Sequence, residues 1–255
     1  MRANRIKKIW KAGGAAVNVW LAIPSAYSAE LISHQGFDAL TIDLQHGIVD
    51  YQDMIAMAQA IATTDTVPIV RVTGLNPAEI NKVLDGGAYG VICPLVEERA
   101  QAELLVRSVK YPPRGMRSWG PSRGILYGGS DYFEHADEEI AVFAQIETAK
   151  ALQNIDEILS VPGIDAAYIG PFDLSISLGL GLLTAEPSGT LKAAFAQVLQ
   201  ACGRHGVAAG IHSVPGISPA ELIRQGFQFV TAGMDIEFLI KGAMSARTSA
   251  KPERA

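Results

Sequence analysis

Cysteine is scarce in this chain. There are two, Cys93 and Cys202, far apart and outside any paired motif. A disulfide framework is therefore not expected, and a reducing cytoplasm fits. No Cys/His cluster has metal-ligand spacing, which argues against a structural zinc site. Long apolar runs are missing too. None approaches the about 20 residues that span a bilayer. The basic start MRANRIKKIW leads into no apolar h-region, so neither a signal peptide nor a membrane partner is expected. Nor is there an excess of positive charge. The chain carries 21 Lys and Arg against 26 Asp and Glu, a net −5, which argues against nucleic acid as a partner. No P-loop or dinucleotide fingerprint follows the first apolar run, and Gly179-Leu180-Gly181-Leu182-Leu183 is too loose to count. Finally, no lysine lies in an apolar run, which disfavours a Schiff-base enzyme. Lys150, one helical turn past Glu147, is the nearest candidate.

What is present is apolar and rhythmic. Of 255 residues, 49% are hydrophobic and 18% charged, so a large core can form. Apolar bursts recur at 17–22, 39–44, 68–72, 90–95, 141–146, 166–169, 207–212 and 229–232. Helical stretches follow at 25–35, 51–63, 77–85, 97–110, 148–160, 219–225 and 235–247, with a short helix at 174–178. A Gly- and Arg-rich connection covers 111–130. Eight such alternations predict one domain over 1–255, a (β/α)8 TIM barrel with parallel strands buried on both faces. A doubly wound sheet of six or seven strands is the alternative. The polar tail 248–255 is expected to fray.

The stretch 141–175 organises the rest. It reads as strand, helix, strand, with Glu147 closing the first run and Asp173 following the second. Parallel strands joined by a helix put both acids at one end of the sheet. Two converging carboxylates suit Mg2+ or Mn2+, with substrate and water completing the shell. Taken singly, Glu147 could instead face a helix N-terminus, and Asp173 could cap the short helix after it. Other polar groups stand at the same ends. Asp43-Leu44-Gln45-His46-Gly47 follows the second run, and Asp85 ends the third helix. A carboxylate beside an imidazole fixes its tautomer and raises its basicity, so His46 is a candidate base, although a capping or core role is open. Arg71 inside an apolar run either pairs with a structural aspartate or faces a ligand anion. Gln145 lies two before Glu147 and shares its side of the strand. His212 is possible pocket lining. In the loop after 110, Arg114, Arg117, Trp119 and Arg123 form either a site rim or an oligomer contact.

Five ordered motifs resemble a known family. They are Asp43-Leu44-Gln45-His46-Gly47, Arg71, Tyr111-Pro112-Pro113-Arg114-Gly115, Gln145-Ile146-Glu147-Thr148 and Gly170-Pro171-Phe172-Asp173-Leu174-Ser175. Together they are similar to the HpcH/HpaI aldolases, class II metal-dependent pyruvate aldolases, over about 20–235. The resemblance implies a barrel that joins pyruvate or hydroxypyruvate to an aldehyde as a 4-hydroxy-2-oxo acid, or cleaves the product. It implies Glu147 and Asp173 as ligands of a divalent ion (Mg2+, Mn2+ or Co2+). Gln145 and the backbone around Phe172 and Asp173 would form the pyruvate edge, and Trp20 a pocket wall. His46 would be the general base, Asp85 the carboxylate that tunes it, Asp43 a further acidic neighbour, and Arg71 the enolate stabiliser. A homohexamer, a trimer of dimers with the last helix exchanged, is also implied. Two positions depart from the heptanedioate enzymes of the family. Gln45 stands where they have Glu, and resembles the branch that accepts hydroxypyruvate. Phe172 stands where small residues are usual, and narrows the donor side. Alternative chemistries are a sugar-acid aldolase of the 2-dehydro-3-deoxyglucarate type and a carbon–carbon lyase acting on coenzyme A thioesters. The last would need a basic groove from Arg114, Arg117 and Arg123. A non-catalytic oxo-acid binding protein is a further reading.

Overall fold

Each apolar run becomes a strand because both of its faces find cover, side chains inside the ring and helices outside. The computed structural model describes residues 1–251. Its strands are β1 (Ala16–Leu21), β2 (Ala39–Asp43), β3 (Val67–Arg71), β4 (Gly90–Cys93), β5 (Ala141–Ile146), β6 (Ala166–Ile169), β7 (Ala208–Ile211) and β8 (Phe229–Met234). All neighbours pair in parallel and in chain order, and β8 closes on β1. This is a (β/α)8 TIM barrel, and closure excludes the open doubly wound sheet.

The helices are α1 (Arg5–Lys11), α2 (Ala26–Ser33), α3 (Tyr51–Ile61), α4 (Pro77–Asp85), α5 (Arg99–Val109), α6 (Ser122–Gly128), α7 (Tyr132–Glu139), α8 (Ala149–Gln153), α9 (Ile155–Leu159), α10 (Pro171–Ser177), α11 (Gly189–His205), α12 (Pro219–Arg224) and α13 (Asp235–Ala250). Several differ from the sequence expectation. The helix expected over 148–160 is two, because Asn154 turns out of the helix and its side chain donates to the Glu97 carbonyl at 2.9 Å. The connection expected over 111–130 contains α6. Helices α1, α7 and α11 have no counterpart among the expected elements, although α11 buries Leu191, Ala194, Phe195, Val198 and Cys202 at helical spacing. Helix α13 runs to Ala250, so the expected fraying of 248–255 fails for its first residues, and 252–255 lie outside the described residues.

One end of the barrel is plugged. Trp10 of α1 sets its ring edge-on to Phe143 at 5.6 Å and Phe229 at 6.3 Å. Its indole N–H donates to the Gln228 carbonyl. The strand C-termini form the other end, and there the register decides who meets whom. Asp43 pairs with Arg71, Gln145 with Tyr168, and Trp20 with Thr41 and Met234. No helix among the described residues is long and apolar enough to cross a membrane.

Candidate active site

A cavity of about 270 Å³ opens at the strand C-termini. Trp20, Asp43, His46, Arg71, Gln145, Tyr168, Gly170, Phe172, Asp173, His212 and Met234 line it. A larger cavity, about 540 Å³, lies at the strand N-termini beneath α1. Its charged lining includes Lys7 and Asp165, already paired at 2.8 Å. In this architecture chemistry belongs to the C-terminal face, and the smaller cavity holds the convergent polar groups.

Asp43 and Arg71 are built as a unit. They are the last residues of β2 and β3 and stand side by side in the register. The guanidinium donates from Nε to Oδ1 at 2.8 Å and from Nη2 to Oδ2 at 2.6 Å, a two-pronged fit. Its flat face lies 4.3 Å from the centre of the Trp20 ring. Of the two sequence readings of Arg71, the aspartate pair is the one the structure shows, and the side chain also lines the cavity. The expectation for Asp43 needs correction. Its carboxylate accepts from the backbone N–H of Gln45 and His46, at 3.0 and 3.3 Å, not from the imidazole. Asp43 thus fixes the His46 loop and Arg71 together.

His46 is exposed on the rim, so it is not a core histidine. No hydrogen bond to its ring is made among the described residues. Asp85 does not tune it within this chain. Its Oδ1 accepts from Arg117 Nη2 at 2.8 Å, and it does not line the cavity. The reason is a buried cation. Arg117 is 1% exposed between the rings of Tyr111 and Tyr132, and it requires a carboxylate.

Glu147 sits just past β5 and is 3% exposed. Its Oε1 accepts from the Leu95 backbone N–H at 2.9 Å, and Gln145 Nε2 donates to its Oε2. Leu95 holds a left-handed backbone, φ 55°, to aim that amide. Burial pushes the Glu147 carboxyl upward, the two hydrogen bonds pull it back, Asp173 raises it further, and Arg71 lowers it. These charges share one field. No ion pair to Glu147 is made among the described residues. Gln145 is also buried, with Oε1 lacking any partner. Gly170 leaves room for this pair, because a Cβ there would lie 2.7 Å from Glu147 Oε2 and 3.1 Å from Gln145 Nε2. Asp173 is exposed in the first turn of α10 and caps nothing, since Gly170 holds the N-cap position. A buried carboxylate with no cationic partner among the described residues, an orphaned amide oxygen and a second carboxylate that acts on the first form a set that a hard divalent ion fits. Among the described residues no group of three or more His, Cys, Asp or Glu could hold a metal. Any such ion would meet two carboxylates of this chain, Glu147 and Asp173, and no third His, Cys, Asp or Glu among the described residues.

The sequence alone does not single out Tyr168 and Met234 of the cavity, and it gives His212 only as possible pocket lining. Tyr168 is fully buried in β6, and its hydroxyl is a hub for Trp20, Thr231 and His212. The available signal was polar groups (Asn18, Thr41, Thr231) inside otherwise apolar runs. The basic rim expected from the loop is mostly not formed. Arg117 is buried, and Arg123 donates to the carbonyls of Gly86 and Ala58 at 2.9 Å each. Only Arg114 is left exposed, so the groove that a coenzyme A thioester needs is absent among these residues. Lys150 is exposed and held by Glu98 and Glu97, which raise its pKa, the reverse of what a Schiff-base lysine requires.

A family model described as HpcH/HpaI aldolase/citrate lyase matches residues 17–242. The hydroxypyruvate/pyruvate aldolase of Rhizorhabdus wittichii is 38% identical, over 97% of this chain and 99% of that protein. A 4-hydroxy-2-oxo-heptane-1,7-dioate aldolase of Klebsiella pneumoniae is 35% identical, over 94% and 91%. Among solved structures, an HpcH/HpaI aldolase from Desulfitobacterium hafniense superposes with a TM-score of 0.90 at 26% identity, covering 99% of each chain.

Proposed function

This chain belongs to the HpcH/HpaI aldolase/citrate lyase family, and we propose that it is a class II, metal-dependent aldolase. As an aldehyde-lyase it forms or cleaves 4-hydroxy-2-oxo acids, with pyruvate or hydroxypyruvate as one half and an aldehyde as the other. The observation that carries this reading is Glu147: a buried carboxylate, held by two hydrogen bonds and no cation, beside a cavity that Arg71 and Asp173 line.

Glu147 and Asp173 would hold the divalent ion, Mg2+, Mn2+ or Co2+. When bound, such an ion polarises the 2-oxo group and makes the C3 proton removable. The remaining work falls to side chains of this chain. Gln145 and the backbone of Phe172 and Asp173 form the edge along which the oxo acid lies, and Trp20 walls the pocket. Arg71 Nη1 makes no hydrogen bond among the described residues, since Asp43 takes Nε and Nη2. It therefore places fixed positive charge where the enolate oxygen develops, an effect typically worth about 3 kcal/mol of barrier. His46, exposed at the rim, takes the C3 proton directly or through a water. The electron pair released forms the bond to the aldehyde carbon, and the new alkoxide recovers a proton. Cleavage is the same sequence reversed. Asp43 is a positioning residue for Arg71 and the His46 loop, and Asp85 takes no part that one chain can supply.

Two further readings belong to the same proposal. The exposed apolar residues of α13 support self-association, for which the family resemblance implies a homohexamer with α13 exchanged. Cys93 and Cys202 are free and buried, which suits a reducing cytoplasm. The test is C3 deuterium exchange of pyruvate and cleavage of a 4-hydroxy-2-oxo acid, with and without chelator. Both should vanish on thorough metal removal and return with Mg2+ or Mn2+. Activity that survives unchanged rejects the proposal.

A further inference from the structure

A relay of buried polar groups runs through the barrel and ends in the cavity, and the mechanism above does not use it. Thr41 Oγ1 donates to Asn18 Oδ1 at 3.0 Å, which orients the Asn18 amide. Asn18 Nδ2 reaches Thr231 Oγ1 at 3.4 Å. Trp20 Nε1 donates to Tyr168 Oη at 2.9 Å and to Thr231 Oγ1 at 3.0 Å. Tyr168 Oη lies 2.8 Å from Thr231 Oγ1 and 3.1 Å from His212 Nδ1.

Trp20 has one N–H, shared between Thr231 Oγ1 and Tyr168 Oη, and Asn18 Nδ2 also donates to Thr231 Oγ1. The arrangement that gives each hydroxyl hydrogen an acceptor sends the Thr231 hydrogen to Tyr168 Oη and the Tyr168 hydrogen to His212 Nδ1. A ring nitrogen that accepts is unprotonated. Burial, and next the positive charge of Arg71, hold the imidazole neutral, with its pKa pushed down to about 4. The single proton of a neutral ring therefore sits on Nε2. That nitrogen makes no hydrogen bond among the described residues, while the ring lines the cavity. The ring is also clamped, edge-on to Trp20 at 4.9 Å and to Phe172 at 6.3 Å. Trp20 and Phe172 flank it, and Asp43, Arg71, Gln145 and Asp173 line the same cavity.

We propose that His212 is a specificity-determining residue: positioned by Tyr168, it offers its Nε2–H to a hydroxyl oxygen on the carbon next to a reacting carbonyl. The proposal rests on the aldolase reading and deepens it. Such a hydroxyl has two sources, the C3 hydroxyl of hydroxypyruvate or the C2 hydroxyl of a hydroxyaldehyde such as glycolaldehyde. A substrate lacking it leaves a confined donor unpaired, and that is how a polar site rejects a deoxy analogue.

The experiment has two arms, both with Mg2+ present. In the first, nitrogen NMR of 15N-histidine-labelled protein reads the His212 tautomer. The resting protein should show Nε2–H with an accepting Nδ1, and Tyr168→Phe should remove that lock. A resting Nδ1–H tautomer overturns the proposal before any turnover is measured. In the second, kcat/KM is compared for hydroxypyruvate against pyruvate with one acceptor, and for glycolaldehyde against acetaldehyde with one donor. His212→Leu should lower one preference ratio about ten- to a hundredfold, and His212→Gln, which keeps an N–H, should restore part of it. Whichever ratio falls names the source of the hydroxyl. Both ratios unchanged overturns the proposal. Should the wild type turn over no pair, the aldolase reading fails by itself. The Nε2–H resonance on adding hydroxypyruvate or glycolaldehyde then still decides the hydrogen bond: a shift supports it and no shift with either compound sinks it.

Discussion

Gly170 has an ordinary backbone, φ −90° and ψ 91°, so conformational freedom does not explain a glycine there. The explanation is Glu147 and Gln145, which fill the space a side chain would take. Gly170→Ala should therefore leave the fold intact and displace the Glu147 carboxylate. We expect kcat/KM for aldol cleavage to fall at least tenfold, with apparent affinity for Mn2+ weakened in parallel and the unfolding midpoint shifted by only a few degrees. An alanine variant with unchanged metal affinity would detach Gly170 from the site. Residue identities at the strand ends made much of this centre legible in the sequence. Glu147, Asp173, Gln145 and Arg71 stand out there because charge and amide groups rarely follow apolar runs without a reason. Their partners were less legible. Asp43 is an acid three positions from His46, yet its carboxylate turns to Arg71, because strand register and not chain proximity sets the contact. Nothing in the sequence marks out Tyr168 within its apolar run, and His212 reads there only as pocket lining; the three-dimensional relay connects them.

At the scale of elements, the eight strands were readable from apolar runs, and most helices from period and caps. The segment from Tyr111 to Glu139 was not, because its order comes from a contact that local sequence does not announce. Arg117 enters from this connection and ends buried, bound to Asp85 of α4 and Tyr132 of α7, with its guanidinium 4.6 Å from the centre of the Tyr111 ring. One side chain thus ties α4, the 111–121 connection and α7. Truncating it removes the cation from three neighbours at once and leaves a void. Arg117→Met should destabilise the protein by about 3 kcal/mol, the lower end for breaking a buried pair, because Asp85 is partly exposed and can be rehydrated. Urea unfolding of the wild type and variant measures this. A loss below about 0.5 kcal/mol would show the connection held by other contacts, and would reopen the reading of these arginines as a rim.

The molecule as a whole carries one element that its own barrel does not hold. The carboxylate of Asp235 accepts from the backbone N–H of Ala22 and Ile23, at 3.0 Å each, so the start of α13 is tied to the end of β1. Beyond that anchor every residue from Phe238 to Ala250 is exposed. Helices in proteins draw most of their stability from packing an apolar face. This one has such a face, with Leu239 65% and Met244 60% exposed and Phe238 and Ile240 beside them. Each large apolar side chain contributes about 1.5–3 kcal/mol when fully buried, so a matching surface on a second copy would stabilise both. We therefore expect the wild type to be an assembly at micromolar concentration by multi-angle light scattering. Leu239→Glu combined with Met244→Glu should lower its mass, because two carboxylates would have to enter an apolar contact. The helical signal of the variant should fall as well, since α13 loses the packing that orders it. A monomeric wild type, or a variant of unchanged mass, would remove α13 from the interface and with it the exchanged-helix assembly.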